Sequence, residues 1–464
     1  METTSKSLVG HGSHFITAAP ILPWDICDLI IDILVKPLLG ARRRRAFAST
    51  VSEDLELHRE ELKCKATLAA GARISKAWHN PFQYRLTRHI WVSSDTHFAR
   101  LASRSYTANP SLVQEITIDP SGQGVCNPAP YSCHCVVGLL GQFPSTATLS
   151  LCGVAWIVHP RCMHRFVMHQ HITRLALVWV HFQSVMHFRL LLEALPMLYA
   201  LECNHVFADE TEESDEAMMA RCSNLRELKI LDIDAHISAF FGNIEHGTDT
   251  PPVEILSVAL TVEFIERDGH GWNKYRAILD TYSESIRELK LMLHVQNENF
   301  RTTSMLPGSL ANYTNLQKIT MVLRVTPAPR FYSCFTSLLS NISTTRLSNM
   351  TISFRPMPSC RNISPKGLVT LLDISPVLRT MDEMLADEQF ESIHQQGVHV
   401  ELATPFSELS TILDNALEST GGWEESVKQW MPHINSAGLL RCVRLWLRST
   451  TTDFITMLAT QKNR

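Results

Sequence analysis

Thiols and imidazoles crowd one stretch of the chain. Cys126, Cys133, His134, Cys135, Cys152, His159, Cys162, His164, His169 and His171 fall within it. These are the ligand types zinc prefers, but paired zinc ligands usually have about two to five residues between them. The pairs here, Cys133-x-Cys135, Cys162-x-His164 and His169-x-His171, leave one residue between partners. The whole chain carries 21 histidines, so local enrichment weighs little, and no metal site is expected. Asp232-x-Asp234-x-His236 is a second candidate metal group. It lies at the end of a predicted strand, where alternate side chains face solvent, and that accounts for the pattern. The motifs G-x-S-x-G, H-E-x-x-H and the Walker loop are absent. With 19 glycines in 464 residues, a glycine-rich phosphate cradle is disfavoured. No catalytic residue and no cofactor are expected.

Whatever the chain binds must be positioned by an array of short units that begins near residue 100. The form apolar-x-x-apolar-x-apolar recurs, as in Val113/Ile116/Ile118, Ile172/Leu175/Leu177, Leu225/Leu228/Ile230 and Leu316/Ile319/Met321. Its second anchor steps from Leu149 to Leu175, Leu201, Leu228 and Leu256, at intervals inside the range of about 20–29 residues for one strand plus one helix. Later steps, to Leu289, Ile319 and Met350, are longer. Between anchors, Phe182–Leu195 and Asn273–Ile286 place apolar residues at helical spacing. Toward the C-terminus, helices are predicted over Leu368–Phe390 and Val427–Met431, and strands over Gly397–Leu402 and Gly438–Leu445. Each unit has a face it cannot bury alone, and stacking neighbours would complete the core. The buried asparagine or cysteine common in such arrays is missing; Val180, Val206, Ile233 and Thr261 hold its position.

The composition fits a folded chain, with 45% apolar and 19% charged residues. A net charge of -4 gives no global pull toward nucleic acid or an acidic membrane. No charge-free apolar stretch of about 18 residues is present, so no membrane span is expected. Twelve cysteines without framework spacing suit a reducing compartment, cytoplasmic or nuclear.

Near the N-terminus, Trp24–Val35 reads WDICDLIIDILV. Its polar members, Asp25, Asp28 and Asp32, form one narrow helical stripe, so most of this helix must be covered by other helices or by another protein. Leu22-Pro23, then Ile26, Ile30 and Leu34, resemble the start of an F-box. The small-residue stretch Ala66–Ala77 ending in Trp78, and the segment Tyr84–Val92 after it, are similar to that family's later landmarks. The region 38–65, with Arg42-Arg43-Arg44-Arg45, is longer and more charged than the family's second-helix region.

The resemblance implies a function. An F-box docks on the Skp adaptor of a cullin–RING ubiquitin ligase, which here would use Leu22, Pro23, Ile26, Ile30 and Leu34, with Trp78 closing the box. The units that follow resemble the degenerate leucine-rich-type arrays of many F-box proteins. The expected architecture is α/β: a tail over 1–19, a helical F-box-like module over 20–95 with a charged insertion near 38–65, and a leucine-rich-repeat-like solenoid over 96–464. The implied role is substrate recognition in an SCF-type ubiquitin ligase, with the Skp adaptor, the cullin scaffold and a protein target as partners. The alternative is a repeat-scaffold interaction module outside ubiquitination.

Overall fold

In the computed structural model the residues described are 63–71, 73, 79, 83–84, 87–92, 94–102, 109–120, 129–157, 165–209, 223–242, 253–261, 271–294, 310–325, 346–356, 375–386, 390, 393, 397–404 and 422–446. The fold is α/β. Its strands are β1 (His89–Val92), β2 (Glu115–Ile118), β3 (Ala129–Ser132), β4 (Thr148–Ile157), β5 (Arg174–Phe182), β6 (Ala200–Ala208) and β7 (Glu227–Ile233). They continue as β8 (Ile255–Thr261), β9 (Glu288–His294), β10 (Lys318–Val325), β11 (Asn349–Pro356), β12 (Val398–Thr404) and β13 (Leu440–Trp446). All but β3 lie side by side in chain order within one open parallel sheet; β3 pairs with the second half of β4. The helices are α1 (Asp95–Ala102), α2 (Cys133–Leu140), α3 (Val185–Glu193), α4 (Ala235–Gly242), α5 (Gly271–Tyr282), α6 (Ser375–Leu385), α7 (Trp423–Trp430) and α8 (Pro432–Ser436). Among the described residues no helix is long and apolar enough to cross a membrane.

The second anchors stand in one line across the sheet. Leu149, Leu175, Leu201, Leu228, Leu256 and Leu289 are successive cross-strand partners, and Ile319, Met350 and Val398 continue the row. All nine are buried. Each anchor is two residues from the next inward side chain of its strand, so one face of every strand enters the core. Thr146 occupies the first-anchor position before Leu149. It is fully buried, and its hydroxyl donates to the Phe143 carbonyl at 2.8 Å, so a polar residue fits an apolar slot.

The helices cover this inner face. On α3, Phe188 meets Phe182 of β5 at 5.4 Å between ring centroids, and Phe240 and Phe241 of α4 at 5.3 and 5.8 Å. The helix begins later than its spacing predicts. Phe182 still belongs to β5, and Ser184 caps the first turn, accepting from the His187 amide. Phe182 mimics a helical position because strand and helix bury it on the same side. Within Leu368–Phe390 a helix runs from Ser375 to Leu385 and Phe390 is buried beyond its end, while 368–374 lie outside the described residues.

Candidate binding surface

Parallel sheets usually have both faces covered, and this one alternates. On β5, Leu175, Leu177, Val180 and Phe182 are buried, Ala176, Val178, Trp179 and His181 are half-buried, and Arg174 is exposed. At β5 the second face is therefore half-buried; farther along, Leu231, Ala259, Met292 and Val322 form a buried apolar cluster separate from the main core.

Charges on that face are paired across strands. Arg174 reaches Glu227 at 2.9 Å by passing over Ala200, the small residue that is partner to both. Lys229 meets Glu202 at 2.5 Å, with both side chains mostly buried. Burial lowers the pKa of the Lys229 ammonium, and the Glu202 carboxylate opposes that shift. Farther on, Arg287 lies 3.5 Å from Glu254, and Lys318 lies 3.3 Å from Glu288. Much of this charge is thus neutralised within the sheet.

A half-buried aromatic feature lies at the far ends of β4, β5 and β6. Gly153, Trp179 and His205 sit at the same level on these strands, between aligned pairs, and all three have left-handed backbones, with φ 62, 56 and 54. Each inserts one extra residue, so Val154, Val180 and Val206 return to the core and are fully buried. At 180 and 206, where the sequence pattern lacks a buried asparagine, valines make apolar contact instead. Glycine adopts this backbone freely, whereas a bulky residue incurs roughly 1–2 kcal/mol. At 179 and 205 the chain carries aromatic rings instead. The Trp179 and His205 rings stack at 3.8 Å and 18°. Phe207 adds a third ring 6.5 Å from Trp179. Phe207 is the cross-strand partner of His181, whose Nε2–H donates to Asp209 Oδ1 at 2.9 Å. Trp179, His205, Phe207, His181 and Asp209 form one continuous shelf ending in a carboxylate that is 59% exposed.

The backbone at Trp179 gives a direct test. Trp179→Gly relieves the strain and Trp179→Ala retains it, so the glycine variant should be the more stable of the two by about 1 kcal/mol. This reverses the usual order within strands, where alanine exceeds glycine by roughly 0.5–1 kcal/mol. Urea denaturation of both variants measures the difference; an alanine variant equal or superior in stability would remove the strain argument.

The shelf was not among the sequence-derived site residues. Leu22, Pro23, Ile26, Ile30, Leu34 and Trp78 all lie outside the described residues, as do the Trp24–Val35 helix and Arg42–Arg45. Part of the small-residue stretch is described: residues 63–71 are helical, with Cys64 and Leu68 buried, and the Lys65 ammonium lies 4.8 Å from the Trp91 ring of β1.

The expected solvent-facing role of Asp234 is corrected. Its carboxylate caps α4, accepting from the Ile237 amide at 2.8 Å, and also accepts from the Ala208 amide at the end of β6. It ties a helix start to a neighbouring strand, because the strand ends at Ile233, one residue before it.

In the Cys/His stretch, His169 is buried edge-on to Phe166 and His171. Burial lowers its pKa below the ordinary 6.5, and His171 adds to the shift. Among the described residues, no group of three or more His, Cys, Asp or Glu is arranged to hold a metal ion. Cys126, His159, Cys162 and His164 lie outside those residues. Burial pushes the Cys442 thiol up to about 11 and Cys203 higher still, which disfavours a nucleophilic thiolate at either position near neutral pH.

No family model matches the chain, and a search of curated proteins finds no match.

Proposed function

We propose that this chain is the substrate-recognition subunit of an SCF-type ubiquitin ligase, acting in the cytoplasm or nucleus. Residues 20–95 dock on the Skp adaptor through Leu22, Pro23, Ile26, Ile30 and Leu34, with Trp78 closing the module. Residues 96–464 form a leucine-rich-repeat-like solenoid that holds a protein target. The observation that supports the target-binding half is the long parallel sheet with strands in chain order, whose second face is half-buried at β5. The adaptor-docking half rests on the order of the three sequence landmarks. The mechanism is proximity: a target held beside a ubiquitin-charged enzyme meets it at high effective concentration, and this chain supplies no reacting group.

Ile30→Glu places a charge in the apolar docking ridge and should abolish co-purification of the Skp adaptor and cullin. Thermal unfolding of the 96–464 region should stay unchanged. Undiminished adaptor recovery with Ile30→Glu would sink the docking assignment. The charged stretch over 38–65 favours a second reading, a scaffold for protein interaction outside ubiquitination. That reading gains if the intact chain recovers protein partners but never the adaptor.

A further inference from the structure

We infer that His169 makes the turn 165–172 an acid-released latch over the β4–β5 part of the core. The inference concerns the array alone and stands whatever the N-terminal region docks on.

The array itself shows that His169 is out of place. In three successive units, the residue three before the first anchor accepts from that anchor's amide. The Thr146 N–H donates to the Phe143 carbonyl at 3.2 Å, the Ile172 N–H to that of His169 at 3.1 Å, and the Leu198 N–H to that of Leu195 at 3.0 Å. Phe143, His169 and Leu195 thus fill equivalent sites, and all three are buried. Two are apolar, as a core site demands. The third ionises near neutral pH.

Other rings pack around it. His169 stands edge-on to Phe166 at 6.4 Å, and Phe166 stands edge-on to Trp156 of β4 at 6.0 Å. His171 is edge-on to His169 at 5.8 Å, and its buried Nε2 has no hydrogen-bond partner. Both imidazoles are tolerated there when neutral. One proton sets a cation among apolar rings, and a second sets two like charges side by side.

The surroundings offer little to offset such a charge. In the turn itself Arg165 is an exposed cation. The helix before β4, α2, carries His134 and Cys135. The helix after β5, α3, carries His187, Arg189 and Glu193, and this one carboxylate is already held by Arg189 at 2.6 Å. Cys152 of β4 and Arg174 and His181 of β5 alternate with core residues and so point to the second face. The turns of the flanking units, 141–147 and 194–199, add only the phenol of Tyr199. Burial first, and then the charge of His171, lowers the pKa of His169; burial lowers that of His171. Both fall below the ordinary 6.5, so an opened turn takes up protons more readily than a closed one. Closure keeps its full stability above about pH 6.5 and loses it as pH falls toward the lowered values.

The turn can give way without the sheet. Its bonds are local: Met168 N–H to the Arg165 carbonyl, His169 N–H to that of Phe166, and Ile172 N–H to that of His169. Strands β4 and β5 are instead bound to neighbours on both sides. Val167 and Met168, at the tip, are exposed, so the turn is covered by little.

Hydrogen exchange of the full chain, read by mass spectrometry at about pH 7.5 and about pH 5.5 and corrected for the intrinsic pH dependence of exchange, follows peptides spanning 165–173. About one pH unit below 6.5, each linked proton can raise opening by roughly tenfold at most. Opening of these peptides should rise by at least about threefold at the lower pH, while peptides from β9 and β10 stay unchanged. His169→Phe and His169→Leu copy the residues of the neighbouring units, so each should keep the turn closed at both pH values. An acid response that persists in these variants overturns the proposal, and so does a parent chain with no response. A rise shared by β9 and β10 is general acid unfolding and overturns it as well. A response that ends only with His187→Asn would move the trigger to α3, where burial also lowers the His187 pKa, and would be equally fatal.

Discussion

Asp382→Ala is expected to destabilise the protein by about 3 kcal/mol, because it leaves one buried and one part-buried amide without their acceptor. Asp382 lies on α6 and is 1% exposed. Its Oδ2 accepts from the His433 amide at 2.9 Å and from His433 Nδ1 at 2.8 Å, and its Oδ1 accepts from the Ile434 amide at 2.9 Å. These amides belong to the first turn of α8, whose own N-cap, Met431, supplies no side-chain acceptor, and Pro432 has no N–H to satisfy. A residue from another helix thus does the work that a capping serine or aspartate normally does at the helix start. Asp382→Asn keeps one acceptor oxygen but turns an N–H₂ toward a donor, so an intermediate loss of about 1.5 kcal/mol is expected. Urea denaturation followed by far-UV circular dichroism measures both. An alanine variant within about 0.5 kcal/mol of the parent would show that solvent satisfies these amides without difficulty.

That clamp joins residues 51 apart in the chain, and no local pattern announces it. What the sequence makes legible is the part of the fold governed by alternation. The anchors Leu175, Leu201 and Leu228 are readable because each strand must bury every second side chain at a nearly constant step, and they are indeed cross-strand partners. Thr146 escapes the pattern because apolarity is the signal, and a threonine with an internal acceptor buries equally well. Phe182 is read into the helix because two periods overlap at a strand-to-helix junction.

The shelf is harder to read, for a specific reason. A left-handed residue is foreseen from glycine or asparagine, and only Gly153 gives that cue. Trp179 and His205 become legible once their common offset from Leu175 and Leu201 is aligned with the offset of Gly153 from Leu149. The Arg174–Glu227 pair depends on a small residue on the strand between them, and such a relation appears only when the register is known. The residues that carry the F-box resemblance lie outside the described ones, so the docking half of the function still stands on sequence pattern.

Phe188→Ala should have the largest effect of any single truncation considered, a loss of about 3–5 kcal/mol. The ring is fully buried and stands edge-on to Phe182 on the sheet and to Phe240 and Phe241 on the next helix. Removing it opens a cavity and ends three aromatic contacts, each worth roughly 0.5–1.5 kcal/mol beyond area. These sums do not add, because the remaining rings can partly close the space. Phe240 supplies the control. It touches Phe188 and Phe241 as well but is only half-buried, so Phe240→Ala should cost about half as much or less. Equal losses from the two truncations would mean that ring contact outweighs burial in holding α3 and α4 to the sheet. A marked excess for Phe188, read by urea denaturation with an unchanged slope, would place this ring at the centre of the cluster that joins β5, the helix α3 after it and α4, which follows β7.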